Sequence, residues 1–259
     1  MPCGRIPGAP ERQVANDWII PAWPAPARVS AVSTTRVGGI SRPPYASLNL
    51  ATHVGDDADA VVANRGHLAR TLQLPVTPAW LHQVHGTEVV DAAGVTAPVA
   101  ADAAYALEPG VVCAVMTADC LPVLLCDRGG RVVAAAHAGW RGLAAGVIER
   151  TVAAMAAPEG DLLAWLGPAI SARAYVVGEE VRAAFVSHDP SAVTAFRPAT
   201  GGGWHADLYE LARLRLRRHG VTKIYGGECC TFLEPARFYS YRRDGVTGRM
   251  ASLIWLREV

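Results

Sequence analysis

Three short stretches carry side chains that could hold a metal ion or act as nucleophile and base: Gln83-Val84-His85-Gly86, Thr117-Ala118-Asp119-Cys120-Leu121-Pro122, and Ala136-His137-Ala138-Gly139-Trp140-Arg141-Gly142. Each couples a short apolar run to a reactive tip, so His85, Cys120 and His137 are all expected where a strand ends. Two imidazoles and a thiolate suit zinc, and a water in the fourth position would mark a catalytic rather than a structural site. Such a water falls in pKa to about 7 and supplies hydroxide at neutral pH. The plainer reading stands beside this one. A buried cysteine is ordinarily a small core residue, and the ligand gaps of 35 and 17 residues match no short zinc signature. Cys120 could equally be a nucleophile, with His137 or His85 as its base, and a non-enzymatic binding pocket needs neither.

Absent motifs narrow the chemistry. There is no CxxC pair, no HExxH, and no H-x-E with P-C-x-x-C, which removes zinc ribbons, zincins and the usual zinc nucleobase deaminases. No GxxxxGK[ST], GxGxxG or GxSxG occurs either. Candidate anion contacts are Arg242 and Arg243, adjacent ahead of Gly245, and Arg36 beside Gly38-Gly39. Paired arginines can clamp an anion bidentately; the alternative is that they pair with Asp244 or other surface carboxylates.

The elements that must position these residues follow from periodicity. Val29 to Thr35 reads as a strand running into a glycine turn, and 59–73 as a helix capped by Asp56 or Asp57. From residue 79 the pattern becomes β. Trp80-Leu81 and Val89-Val90 flank the first histidine, and Val111 to Met116, Val123 to Cys126 and Arg131 to Ala136 read as buried strands, the last two a hairpin around Arg128-Gly129-Gly130. Gly142 to Met155 reads as one Ala-rich helix and Leu162 to Leu166 as a strand. Helices over 179–186 and 207–219 and strands over 222–226 and 251–256 complete a layered α/β domain.

Bulk properties add boundaries. The chain has 259 residues, 51% hydrophobic and 18% charged, with net charge +1. That length permits one large domain: a loose arm over 1–17 and a single catalytic domain over 18–259. Arg213, Arg215, Arg217, Arg218 and His219 form the densest basic cluster, read as a solvated helix face and not as a nucleic-acid patch. No leader or membrane span is expected, which gives a cytoplasmic location and thiols or metal ligands in place of disulfides among the six cysteines.

Taken in order, the motifs resemble the YfiH family, the laccase-domain proteins formerly called multicopper polyphenol oxidoreductases. The likeness runs from about Val29 to the C-terminus. It includes Thr35-Arg36-Val37-Gly38-Gly39, Leu48-Asn49-Leu50, Asn64-Arg65, Gln83 to Gly86, Ala101-Asp102-Ala103, Ala118-Asp119-Cys120, His137 to Gly142, Leu166-Gly167-Pro168, Cys230-Thr231 and Tyr239 to Met250. The resemblance implies an α-β-β-α sandwich of the kind shared with a toxin deamidase. It also implies zinc on His85, Cys120 and His137, phosphorolysis of adenosine, inosine and methylthioadenosine, and deamination of adenosine. Asp102 or Asp119 would manage the proton, unless Asp119 only orients its loop, and Arg36, Arg242 or Arg243 would hold phosphate. Editing of peptidoglycan precursors by Cys/His chemistry is the alternative that the resemblance carries. Copper is compatible with a Cys/His site, but eight histidines without an HxH pair supply no multicopper cluster, which disfavours a polyphenol oxidase.

Overall fold

A computed structural model describes residues 17–158 and 160–258. Apart from Asp17, the expected N-terminal arm lies outside the described residues. The elements run β1 (Val29–Ser33), α1 (Ala58–Leu72), β2 (Val89–Asp91), β3 (Ala103–Ala106), β4 (Val112–Thr117), β5 (Leu121–Asp127), β6 (Val133–Ala138), α2 (Trp140–Ala145), α3 (Val147–Met155) and β7 (Leu162–Leu166). Then follow β8 (Val176–Val177), α4 (Glu179–Val186), β9 (Phe196–Pro198), β10 (Trp204–Ala206), α5 (Leu208–Arg218), β11 (Lys223–Gly226), α6 (Tyr241–Asp244) and β12 (Met250–Leu256).

Two sheets stack face to face. One has the order β1-β12-β4 and the other β11-β7-β5-β6-β3-β2; β8-β10-β9 form a small third sheet. Alternation along each strand explains the layering, because successive side chains leave opposite faces. In β4, Cys113 and Val115 point to the inter-sheet core with Leu124, Val133, Ala135 and Ile254. Val112, Ala114 and Met116 point the other way, onto Leu48, Leu50 and Leu68 of α1 and its approach. The far face of the larger sheet, including Val123, Leu125, Ala134 and Ala136, is covered by Leu143, Ile148, Leu211 and Leu216 from α2, α3 and α5. The result is the α-β-β-α order expected. With both faces buried, the central strands need unbroken apolar runs, which is why they were legible.

The segment 142–155 is not one helix. Gly146, at φ +101°, ends α2 and begins α3, a left-handed conformation that glycine adopts without cost. Nor is Trp80-Leu81 part of a strand: that segment makes only isolated parallel bridges, Ala79 to Cys113 and His82 to Ala100. Asp57, not Asp56, caps α1, accepting the N–H groups of Asp59 and Ala60.

The β5–β6 hairpin is expected and found, and a buried carboxylate closes it. Asp127 accepts the N–H groups of Arg131 (2.6 Å) and Val132 (3.0 Å) and the Arg131 Nε–H (2.7 Å). Burial alone would raise its pKa, but the Arg131 guanidinium and these N–H groups outweigh burial and hold it below 3.8. A carboxylate whose folded pKa is depressed stabilises above its unfolded value and loses that contribution as pH falls through the folded one. Asp127→Ala should therefore cost about 2–3 kcal/mol at neutral pH, since buried donors are left unpaired. In urea titrations the deficit should shrink steadily as pH drops below 3.8; a deficit that does not change with pH would refute this account.

Candidate metal centre

The three reactive stretches meet at one end of the stacked sheets. Cys120 lies one residue before β5, and His137 is the penultimate residue of β6, opposite Pro122 in the register. Alternation puts His137 on the same side of its sheet as Val133 and Ala135, facing the other sheet. His85 departs from expectation: it sits in a loop and not at a strand end, with φ +60°. Gln83 ties this loop to the end of β4 through paired bonds, its Nε2–H donating to Met116 O and its Oε1 accepting the Met116 N–H, both at 2.8 Å.

One carboxylate organises two of the three candidate ligands. Asp102, fully buried just ahead of β3, accepts N–H bonds from Val84 (3.2 Å), His85 (2.9 Å) and Gly86 (2.6 Å), and from His137 Nδ1–H (2.8 Å). Burial would raise its pKa, but the His137 bond and the N–H groups outweigh that and lower it. With Nδ1–H donated to Asp102, His137 turns its Nε2 lone pair toward the site, the arrangement that fixes a metal-binding tautomer. Asp102 has no open face for proton transfer to substrate. Its geometry is that of a positioning residue.

Asp119 is similarly engaged. At φ +90°, it accepts the Thr231 hydroxyl and the Arg242 backbone N–H, each at 2.6 Å. Its own carbonyl accepts Ile170 N–H at 2.9 Å. These bonds pin the turn that presents Cys120 and the start of α6. They match the loop-orienting alternative for Asp119.

The ligand atoms of His85, Cys120 and His137 all lie within 4.8 Å of one another, with Cys120 Sγ 3.8 Å from His85 Nε2. Tetrahedral zinc, with bonds of about 2.0–2.3 Å, holds its ligand atoms roughly 3.5 Å apart, so a small inward movement completes three corners. Electrostatics favours the ligand form of the thiol. Burial would raise the Cys120 pKa, but His137 and His85 outweigh it and bring the pKa to about 6. Burial would lower His137, but the Cys120 charge and the Asp102 bond lift it to about 9. In the metal-free pair a proton on imidazole neutralises the thiolate, and a bound cation would take over that role. Among the described residues this is the single group of three such side chains that could hold a metal.

Glycines make the approach possible. A Cβ on Gly139 would lie 2.8 Å from His85 Cδ2 and 3.0 Å from Cys120 Sγ; one on Gly142 would lie 2.7 Å from Gly86 O. The Gly139-Trp140-Arg141-Gly142 spacing is therefore the steric signature of α2 lying against the histidine loop.

The expected phosphate-holding arginines separate. Arg243 is consumed by the carbonyls of Thr231, Phe232 and Phe238 and by Asp244. Arg36 donates to Ala46 O and Pro235 O and lies over the Tyr239 ring. Arg242 is exposed near the centre, its guanidinium 5.2 Å from the Tyr175 ring centroid and bonded to Val176 O. The basic cluster of α5 is not a free face: Arg213 donates to Gly226 O, and Arg215, Arg217 and Arg218 pair with Glu149, Glu210 and Asp189.

The whole chain was then compared with known proteins. Residues 30–257 match the family model described as multi-copper polyphenol oxidoreductase laccase. A purine nucleoside phosphorylase of Pseudomonas aeruginosa is 57% identical over 94% of this chain and 100% of its own length. The purine nucleoside phosphorylase YfiH of Escherichia coli is 56% identical over 92% of this chain and 98% of its own. Among solved structures, protein NMB0706 of Neisseria meningitidis superposes with a TM-score of 0.91 at 54% identity, covering 94% of this chain and all of that one. YlmD of Geobacillus stearothermophilus superposes at 0.84 with 34% identity, over 94% and 97%.

Proposed function

This chain belongs to the multi-copper polyphenol oxidoreductase laccase family, and from that membership we propose that it is a zinc-dependent purine nucleoside phosphorylase. Its substrates on this reading are adenosine, inosine and methylthioadenosine with phosphate, it also deaminates adenosine, and residues 18–259 form one catalytic unit. The observation that carries the reading is the convergence of His85, Cys120 and His137 in a chain 56–57% identical, over nearly its whole length, to relatives named for this activity.

The oxidase in the family's name fits the residues poorly. Coupled copper centres need many imidazoles, whereas only His85 and His137 of the eight histidines join the candidate centre. One thiolate and two imidazoles with room for a fourth ligand suit zinc, with copper as the other metal this softness allows. A bound zinc would supply a Lewis acid with an open position for an oxygen or nitrogen of the substrate.

The remaining work falls to the chain. In phosphorolysis a phosphate oxygen bonds to C1′ as the C1′–N9 bond breaks, and the electron pair leaves with the base, which takes up a proton. Asp102 keeps His137 in one tautomer and the His85 loop in one place, so the site needs little rearrangement during reaction. Arg242, held by Asp119 through its backbone, brings positive charge to the mouth. No helix among the described residues is long and apolar enough to cross a membrane. The proposed location is the cytoplasm, where both substrates are available.

Incubation of the zinc-loaded protein with adenosine tests the reading. Free adenine should appear only with phosphate, and inosine without it. If neither product forms at any phosphate concentration, the purine assignment fails. A second reading has its own geometric support, because Cys120, His137 and Asp102 are linked in the order of a nucleophile, base and orienting carboxylate. On that reading, which includes hydrolysis of peptidoglycan precursors, stringent chelation leaves activity intact.

A further inference from the structure

The arginines around Cys120 differ in what already holds them. Arg36 and Arg243 are used up by carbonyls and Asp244, and Arg237 is paired with Glu234 and Asp17. Arg249 is not spent in this way. Met250 pairs with Thr117 in the β12–β4 register, so Arg249 lies one step beyond that pair, alongside the turn from Ala118 to Cys120. Its backbone N–H is fixed by Asn49 Oδ1 at 2.9 Å. One guanidinium nitrogen, NH1, donates to the Thr247 and Gly248 carbonyls at 2.8 and 3.0 Å. The guanidinium stands 5.8 Å from the Tyr241 ring centroid.

Among the described residues no carboxylate pairs with this half-buried cation, and its Nε–H and NH2 group have no protein acceptor. Burial works against its charge, whereas the charges of Cys120 and Asp119 are near enough to support it. Arg242 follows Tyr241, the residue whose ring Arg249 approaches, and its backbone N–H is held by Asp119, the neighbour of Cys120. Arg242 and Arg141 act on Tyr175, which also feels the Cys120 charge. A partly desolvated guanidinium with its fork half open, set beside a second arginine, is the arrangement that selects a multiply charged oxyanion.

We propose that Arg249, together with Arg242, forms the seat for inorganic phosphate beside Cys120. This assignment rests on the phosphorylase reading for its role and on the unpaired guanidinium for its place. The oxyanion would take the open donors of Arg249, with Arg242 drawing in the second charge.

Calorimetric titration of the zinc-loaded protein with inorganic phosphate tests it. Wild type should bind phosphate; Arg249→Gln should weaken binding at least about tenfold, the value of losing one charge-assisted fork. Arg217→Gln, a surface control, should bind as wild type does. In turnover assays R249Q should raise the KM for phosphate by a similar factor and leave the KM for adenosine within about twofold. If R249Q fails to fold, Arg249→Lys, which keeps the charge but loses the fork, should fall between the two. Phosphate should also protect Arg249 of the wild type from phenylglyoxal, mapped by mass spectrometry.

Binding by R249Q equal to wild type overturns the proposal, as does a wild type that shows no phosphate binding up to about 20 mM, weaker than any useful millimolar seat. A nucleoside monophosphate that binds far more tightly than phosphate in the presence of adenosine would also overturn it, by making the seat a phosphomonoester site. A wild type that binds phosphate through Arg249 but releases no purine base refutes the phosphorylase reading and leaves the anion seat standing.

Discussion

Cys120→Ala is expected to abolish phosphorolysis and metal binding together while leaving the fold intact. The thiolate is the sole anionic member of the candidate ligand set, its polar partners are the two histidines, and Cys120 belongs to none of the buried apolar clusters. Truncation therefore removes a ligand without opening a large cavity. Two imidazoles alone hold zinc poorly, so metal content should fall from about one ion per chain to a small fraction of that. Base release should drop by about three orders of magnitude or more, equivalent to roughly 4 kcal/mol of lost transition-state stabilisation. Elemental analysis and adenine release measure the two effects. Cys120→Asp separates the readings, because a carboxylate can bind zinc but cannot replace a thiolate nucleophile. Retained zinc with partial activity in C120D supports the metal centre; full activity in metal-free wild type would sink it.

The second large effect is expected at Asp102, which touches neither metal nor substrate. Its two oxygens accept four hydrogen bonds, three from the backbone of the His85 loop and one from His137. Asp102→Asn turns a donor group toward N–H donors, so at least one bond becomes a repulsion and a buried network is left half satisfied. Stability should fall by about 3–5 kcal/mol, the range for breaking a buried charged network. Zinc affinity should fall by about 10–100-fold, because His137 loses its preferred tautomer and His85 its anchored loop. Denaturant titration and competition with a chromophoric chelator read these separately. A variant that keeps both values would show that Asp102 is a spectator.

Much of this molecule was legible from local pattern. Leu162–Leu166 and Glu179–Val186 match their expected limits, since continuous burial and the Gly178 boundary leave few alternatives. The apolar runs of β4, β5 and β6 are explicit for the same reason. Where local pattern misled, another force won. The Ala-rich stretch 142–155 keeps helical propensity throughout, so nothing except Gly146 signalled the break. β3 was missed because Ala103-Ala104-Tyr105-Ala106 lacks β-branched residues; it is a strand because small side chains let it sit between two packed layers. The two- and three-residue strands of the small sheet carry too little periodicity to be seen.

The site divides similarly. The residue types of His85, Cys120 and His137 advertised chemistry, but only the fold brings them together. The role of Asp102 depends on donors 16 to 18 and 35 positions away, which spacing does not reveal. Arg243 looked like an anion contact because of its neighbours Arg242 and Gly245, yet it serves to lock a loop. Arg249 was overlooked inside a glycine-flanked segment, although its place beside the β12–β4 register is what sets it apart.

The closed turn from Asp127 to Val132 has a consequence for how this protein can vary in length. It lies at the opposite end of the hairpin from the metal centre, roughly 13 Å from Val133 to His137 along the strand alone. The turn nonetheless decides which residue stands opposite Pro122. Adding or deleting one residue there would slide β6 by one position and send His137 to the helix-covered side of the sheet. Such a lineage would conserve every ligand and still lose the centre. Length at the far turn is thus as much a hereditary requirement of the site as the identity of its ligands.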